Sequence, residues 1–281
     1  MYLFNNPQVE SIIELALNED IGTGDITTIS TIPADKIAHG RFIAKEDMVI
    51  CGIDLAKCIF EKVDSTIEFN SSYTDGETVK KGNIIATVCG NAQNVLTAER
   101  TALNFMQRLT GIASRTAAAV AEVAGTKAKI TDTRKTTPGM RVLEKYAVRI
   151  GGGTNHRFNL ADGVLIKDNH IAVSGGIKNA VTNARNTIPH TLKIEVEVET
   201  REQLEEALDA GADIIMLDNM TNEQMAECVK LIGGKALVEA SGNMGEKSLR
   251  DVAATGVDII SIGALTHTVR AADISLKFTI S

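Results

Sequence analysis

Six short apolar segments recur through the second half of the chain, and this cadence limits the fold more than any other feature of the sequence. They cover residues 128–131, 163–166, 193–199, 213–217, 236–239 and 258–262, separated by helix-like stretches such as REQLEEALDAGA and NEQMAECVKLI. Strand then helix, repeated, predicts a parallel sheet with right-handed crossovers, because parallel neighbours can be joined only over the face of the sheet. So many units favour closure into a barrel, with an open doubly wound sheet as the alternative. With 281 residues, 44% of them hydrophobic, the chain can hold two modest domains and a sizeable core.

Nearly every one of these segments ends in polar groups: Asp132-Thr133-Arg134-Lys135, Lys167-Asp168-Asn169, Glu197 and Glu199, Asp218-Asn219, Ser241-Gly242-Asn243, and Gly263 with only its backbone. In a barrel the carboxyl ends of the strands form one face, so these residues are expected to converge on one mouth. Taken singly, each is equally well explained as the wet start of a loop. The segment KIEVEVE is less ordinary. Ile194, Val196 and Val198 are predicted to face the helices, and strict alternation then turns Glu195, Glu197 and Glu199 inward. Buried carboxylates without partners are costly or take up a proton, so lysine, arginine or metal partners are required; Lys135 and Lys167 are the candidates. Ser241-Gly242-Asn243 and Ser261-Ile262-Gly263-Ala264 occupy the last two strand ends, where barrels often bind phosphate.

The stretch from Thr131 to His170 gathers Arg134, Lys135, Arg141, Lys145, Arg149, Arg157 and Lys167, with Gly151-Gly152-Gly153 ahead of Asn155-His156-Arg157. The protein is acidic at net −7, yet residues 100–170 hold twelve Lys or Arg against five Asp or Glu. Net acidity argues against general nucleic-acid binding, which needs a basic face. A local concentration of cations is what focusing a small, multiply charged anion requires. A solvated basic face would show the same run; the glycine loops tilt the reading towards a site. Lys145 and Arg149, four apart on a helix, are expected to face solvent or a neighbouring subunit. His156 on its own reads as a loop histidine bonded to backbone, and Asp132, Asp168 and Asn169 read as orienting the cations.

The first half has a different texture. Asn6-Pro7 is an N-cap and N1 pair, opening a helix with apolar positions at Val9, Ile12, Ile13, Ala16 and Leu17. IGTGDITT ends it as a turn. From His39 the pattern predicts strands, a helix over 55–62, a strand at TIEFN and a hairpin in DGETVKKGNIIATVCG. Residues 94–124 predict a helix broken at Gly111, with the domain boundary inside it. Cys51, Cys58, Cys89 and Cys228 show no metal-ligand or disulfide spacing and fit a reducing, cytoplasmic setting. With no run of about 18 apolar residues and no leader pattern, no membrane association is expected.

TAERTALNF, DTRKTTPGMRVLEKYAVRIGGGTNHR, LIKDNH, EVEVE, MLDN, EASGN and GALTH occur in this order, and LNEDIGTGDIT stands near the start. Over nearly the whole chain this resembles the quinolinate phosphoribosyltransferases, the carboxylating nicotinate-nucleotide pyrophosphorylases. The resemblance implies an N-terminal α/β sandwich domain over 1–105, joined by the tail 268–281, and an incomplete TIM-like α/β barrel over 106–267. It implies a homodimer, with a hexamer as a further assembly. The implied reaction, a step of NAD biosynthesis, joins quinolinate to phosphoribosyl pyrophosphate with Mg2+, giving nicotinate mononucleotide, pyrophosphate and CO2. By this likeness Arg134, His156, Arg157 and Lys167 would grip the quinolinate carboxylates, with Arg100 reaching in from the partner subunit. Lys135, Glu197 and Asp218 would handle ribose, pyrophosphate and magnesium, the two acids binding the metal directly or through water. Ser241, Gly242, Asn243 and Gly263 would hold the 5′-phosphate, and catalysis would fall to Lys135, Lys167, Glu197 and Asp218. Asn159 and Asn243 stand where the family often has glycine, and asparagine tolerates left-handed backbone. Three rivals stay open: a Schiff-base aldolase using Lys167, a non-catalytic phosphate-binding protein, and a relative found with molybdenum transport genes that shares much of the cation set.

Overall fold

The computed structural model describes residues 6–280. The chain runs α1 (Pro7–Ile21), α2 (Ile26–Thr31), β1 (Ile37–Ala44), β2 (Met48–Val49), α3 (Ile53–Val63), β3 (Glu68–Ser71), β4 (Thr78–Val79), β5 (Ile84–Asn91) and α4 (Ala92–Glu122). It continues through β6 (Lys129–Thr131), α5 (Arg141–Ile150), β7 (Val164–Ile166), α6 (Asp168–Ser174), α7 (Ile177–Thr187), β8 (Ile194–Val198), α8 (Arg201–Asp209) and β9 (Ile214–Asp218). Then follow α9 (Asn222–Ile232), β10 (Leu237–Ser241), α10 (Leu249–Ala254), β11 (Ile259–Ser261), α11 (Ala264–His267) and β12 (Ile274–Ile280). Two compact units emerge. The first takes Met1–Ala117, Thr136–Gly152 and Thr268–Ser281, and the second Ala118–Lys135 and Gly153–His267. The boundary expected at 105/106 falls inside α4, which runs on unbroken, and the α5 segment groups with the first unit.

In the first unit, Asn6 caps α1 by accepting the Gln8 N–H at 2.9 Å, and Val9, Ile13 and Leu17 form its buried face. The antiparallel sheet has the order β12-β1-β5-β3. Phe42, Phe60 and Phe69 pack at centroid distances of 5.6 to 6.0 Å. The hairpin expected in residues 75–90 does not form: two-residue β4 pairs with β2, while the longer β5 finds partners on both sides in β1 and β3. The break expected at Gly111 is also absent. A Cβ there would stand 2.1 Å from the Arg270 backbone oxygen, so the glycine permits a close approach of the chain ahead of β12 and does not bend the helix. Lys145 is fully buried, because α5 is enclosed on most sides; Arg149 alone of that pair is exposed. Its neighbour Glu144, equally buried, accepts from Arg108 Nε at 3.0 Å and Nη2 at 2.6 Å and from the Thr137 N–H at 3.0 Å.

The second unit is built on an all-parallel sheet ordered β6-β11-β10-β9-β8-β7. Successive strands are neighbours from β7 to β11, and β11 then pairs with β6, the first of the set. That circular order is a barrel with one unpaired seam, between β6 and β7; a doubly wound sheet would reverse direction at a switch point instead. Thr154 makes a parallel bridge to Thr131 on the far edge of β6. Thr200 with Gln203 and Thr221 with Gln224 form capping boxes that start α8 and α9. Among the described residues no helix is long and apolar enough to cross a membrane.

Candidate active site

Parallel strands share one direction, so their carboxyl ends make one rim. Arg134 and Lys135 follow β6, His156 and Arg157 follow the Thr154 bridge, and Lys167 follows β7. Glu197 lies near the end of β8, Asp218 ends β9, Ser241 ends β10, and Gly263 follows β11. Arg100 is exposed on α4 in the first unit, to which Arg141 and Arg149 also belong.

Arg157 is anchored to the backbone. Its Nη1 donates to the Gly163 carbonyl at 2.8 Å. Burial, then the neighbouring Arg134 guanidinium, pulls its pKa down, with Glu195 and Asp162 opposing. Crowded like charges favour an anion between them. Behind Arg157 lies a buried cluster. Asp132, with no exposed surface, accepts the His156 N–H at 2.9 Å and the Asn155 amide at 2.5 Å, fixing this loop. His156 Nδ1 accepts the Arg157 N–H at 2.8 Å, which assigns the ring proton to Nε2. Nε2 faces Glu195 at 3.1 Å and Glu239 at 3.7 Å. Burial, then the charge of Glu195, pushes the Glu239 carboxyl well above its ordinary range. By distance alone His156, Glu195 and Glu239 could hold a cation. A protonated Nε2 has no lone pair to offer, however, so the arrangement fits a carboxylic acid beside a carboxylate better than a metal site.

Along β8 the predicted alternation holds for Ile194, Val196 and Val198, all fully buried, and for Glu195. The partner of Glu195 is a histidine, where a lysine, arginine or metal was expected. Glu197 is ion-paired with Lys167 Nζ, whereas Glu199 lies beyond the strand end and is exposed. Lys135 is ion-paired with none of Glu195, Glu197 and Glu199. Its Cδ would lie 3.1 Å from a Cβ at Gly263, and its carbonyl accepts from Thr266 Oγ1 at 2.8 Å.

On the last strand ends the backbone is unusual. Asn219 (φ 54°) and Asn243 (φ 51°) are the non-glycine residues with positive φ among the described residues. Asn243 therefore adopts the conformation a glycine would take there. Asn159 does not; its side chain accepts the Ala161 N–H at 2.7 Å and its N–H goes to Asp162 at 3.1 Å, a side-chain turn that needs no left-handed residue. Sequence reasoning passed over Glu239 and read Asn219 only as one of the polar residues at the strand ends. The alternation that exposed Glu195 would have found Glu239 in LVEAS, where Val238 and Ala240 flank it; the left-handed backbone of Asn219 had no signal in the sequence.

Residues 25–110 match the family described as quinolinate phosphoribosyl transferase, N-terminal domain, and residues 112–277 match its C-terminal domain. A probable nicotinate-nucleotide pyrophosphorylase (carboxylating) of Bacillus subtilis is 44% identical across 99% of this chain and 96% of its own length. A chloroplastic nicotinate-nucleotide pyrophosphorylase (carboxylating) of Arabidopsis thaliana is 44% identical across 96% of this chain and 82% of its own. Among solved structures, the nicotinate-nucleotide pyrophosphorylase of Francisella tularensis superposes with a TM-score of 0.93 at 41% identity, covering 99% of both chains. NadC of Streptococcus pyogenes does so with a TM-score of 0.92 at 40% identity, covering 98% of this chain and 97% of that one. Likeness that spans both domains from end to end, over a barrel whose cations and acids share one rim, means that the chain belongs to the quinolinate phosphoribosyltransferases, the carboxylating nicotinate-nucleotide pyrophosphorylases of NAD biosynthesis.

Proposed function

We propose that the rim of the second unit transfers phosphoribosyl from phosphoribosyl pyrophosphate to the nitrogen of quinolinate, with loss of CO2. The observation that carries the assignment of residues is the crowding of Arg134 against Arg157 on the rim that also bears the Lys167–Glu197 pair. Quinolinate brings two adjacent carboxylates to such a place. Each unit-charge contact at about 4 Å contributes roughly 4 kcal/mol at an effective dielectric near 20, before desolvation is subtracted. Arg134, Arg157 and Lys167 bind the carboxylates in this reading, and Arg100 belongs to the site of a partner copy in a homodimer. His156 acts through Arg157, since both its ring nitrogens face protein partners in this conformation.

The pyridine lone pair forms the bond to the anomeric carbon while pyrophosphate leaves with the electrons of the C–O bond. Positive charge grows on the ribose as that bond stretches, and Glu197 and Asp218 are the rim acids suited to stabilise it. Lys135, lying over Gly263, together with Ser241, Gly242 and Asn243, serves the phosphate groups. The positive charge on the quaternised ring nitrogen then stabilises the electron pair left at C2 when the carboxylate departs as CO2, and that pair takes a proton from solvent to complete the product. Glu197 and Asp218 are hard oxygen donors that fit Mg2+, which when bound neutralises pyrophosphate charge. Four free cysteines suit a cytoplasmic setting.

The test is to mix purified protein with quinolinate, phosphoribosyl pyrophosphate and Mg2+ and to follow nicotinate mononucleotide and CO2. Replacing quinolinate by nicotinate should abolish turnover; comparable turnover with nicotinate would show that the cations do not read two carboxylates.

A further inference from the structure

We infer that Asn219 is a positioning residue: it orients the Asp218 carboxylate and ties the acid loop after β9 to the phosphate loop after β10. The inference rests on Asp218 serving the phosphoribosyl substrate, as proposed above. Asn219 Nδ2 donates to Asp218 Oδ2 at 2.7 Å. The residue holds a φ of 54°, a conformation uncommon for side chains other than glycine and asparagine. Two contacts across the rim accompany that conformation. The Asn219 N–H donates to the Ser241 carbonyl at 3.2 Å, and Ser241 stands in register with Asp218 on the adjoining strand. Gly242 (φ 88°) passes so close that a Cβ on it would meet Asn219 Oδ1 at 2.2 Å and Asn219 N at 2.6 Å. A side chain at residue 242 would thus displace the amide that holds Asp218, which accounts for a glycine there beyond the needs of phosphate approach. With Oδ2 committed to Asn219, Asp218 presents a fixed carboxylate, and a ligand that engages both loops meets one preorganised unit.

The experiment compares Asn219→Asp, which keeps the size and left-handed tolerance but replaces the donor by a carboxylate, with Asn219→Gly, which keeps the backbone and removes the amide. Calorimetric titration gives Kd for phosphoribosyl pyrophosphate, with and without Mg2+, and for quinolinate; thermal midpoints report the fold. Both variants should stay folded and bind quinolinate as the parent does. Their Kd for phosphoribosyl pyrophosphate should rise about ten- to a hundredfold, as expected for losing one hydrogen bond to a charged group, and most in Asn219→Asp. Parent-like affinity in both variants, equal weakening of both substrates, or unfolding of both would overturn the inference. Asp218→Asn is measured beside them. If that variant keeps the parent's affinity for phosphoribosyl pyrophosphate, the assignment of Asp218 itself falls; if it weakens and the Asn219 variants do not, only the role of Asn219 falls.

Discussion

Glu239→Gln isolates the proton that the buried acid pair holds. In the folded chain burial, then the charge of Glu195, pushes the Glu239 carboxyl from an ordinary 4.5 up to about 8, with His156 and Ser261 opposing. Glu239 is 2% exposed, so little solvent screening applies. The native state therefore keeps a proton that the unfolded chain releases. Stability is fullest below about 4.5 and is lost as the pH rises through about 8. Each pH unit in that window costs up to about 1.4 kcal/mol, so moving from about pH 5.5 to about pH 7.5 costs roughly 3 kcal/mol. At roughly 2–4 °C per kcal/mol, the parent's thermal midpoint falls by about 6 °C or more from this group alone. Glutamine keeps the shape of the neutral acid and cannot ionise. The variant should show a flatter profile of midpoint against pH than the parent and should be the more stable of the two near pH 8.5, with turnover at neutral pH retained. Parallel profiles for parent and variant would refute the reasoning, because they would mean that Glu239 is ionised in both states.

Other changes probe the rim and the scaffold. Arg157→Lys loses the planar fork and the contact to Gly163, and should raise KM for quinolinate about ten- to a hundredfold while KM for phosphoribosyl pyrophosphate barely moves; an equal rise in both would count against the assignment. Gly263→Ala puts a methyl group 3.1 Å from Lys135 Cδ and from His267 Cδ2, and should raise KM for phosphoribosyl pyrophosphate with little change in thermal midpoint. Gly111→Ala would be stabilising by roughly 0.5–1 kcal/mol if helix propensity governed the position. The 2.1 Å approach to Arg270 predicts the reverse, a loss of about 1–3 kcal/mol or more by denaturant unfolding.

Much of the barrel was legible because its strands are short, apolar and regularly spaced. All six predicted segments carry a strand, with ends displaced by a residue or two. The rim was legible for the same reason: once the strands are parallel, Lys167, Asp218 and Ser241 must emerge on one side. Partner choice was not. Alternation revealed that Glu195 turns inward, but only the fold shows that the loop after Thr154 brings His156 to it, since Glu195 lies on β8 and His156 in a loop that precedes it by almost forty residues. Local pattern misled where tertiary contact decides. Gly111 looks like a helix breaker until Arg270 is seen beside it, and Lys145 looks solvent-facing until α5 is seen enclosed. The 75–90 hairpin failed because pairing in a sheet depends on which strands compete, and β5 had longer partners than β4.

The antiparallel sheet also sets a schedule for biogenesis. β1 sits between β5 and β12, yet β12 follows every other element of the chain in sequence. Until translation delivers that segment, β1 offers an open row of amides and carbonyls on one side, with alternate side chains apolar, which is a template for pairing with another nascent chain. A frameshift just before residue 274 would leave the catalytic barrel's own strands intact and still produce a protein inclined to aggregate in the cell.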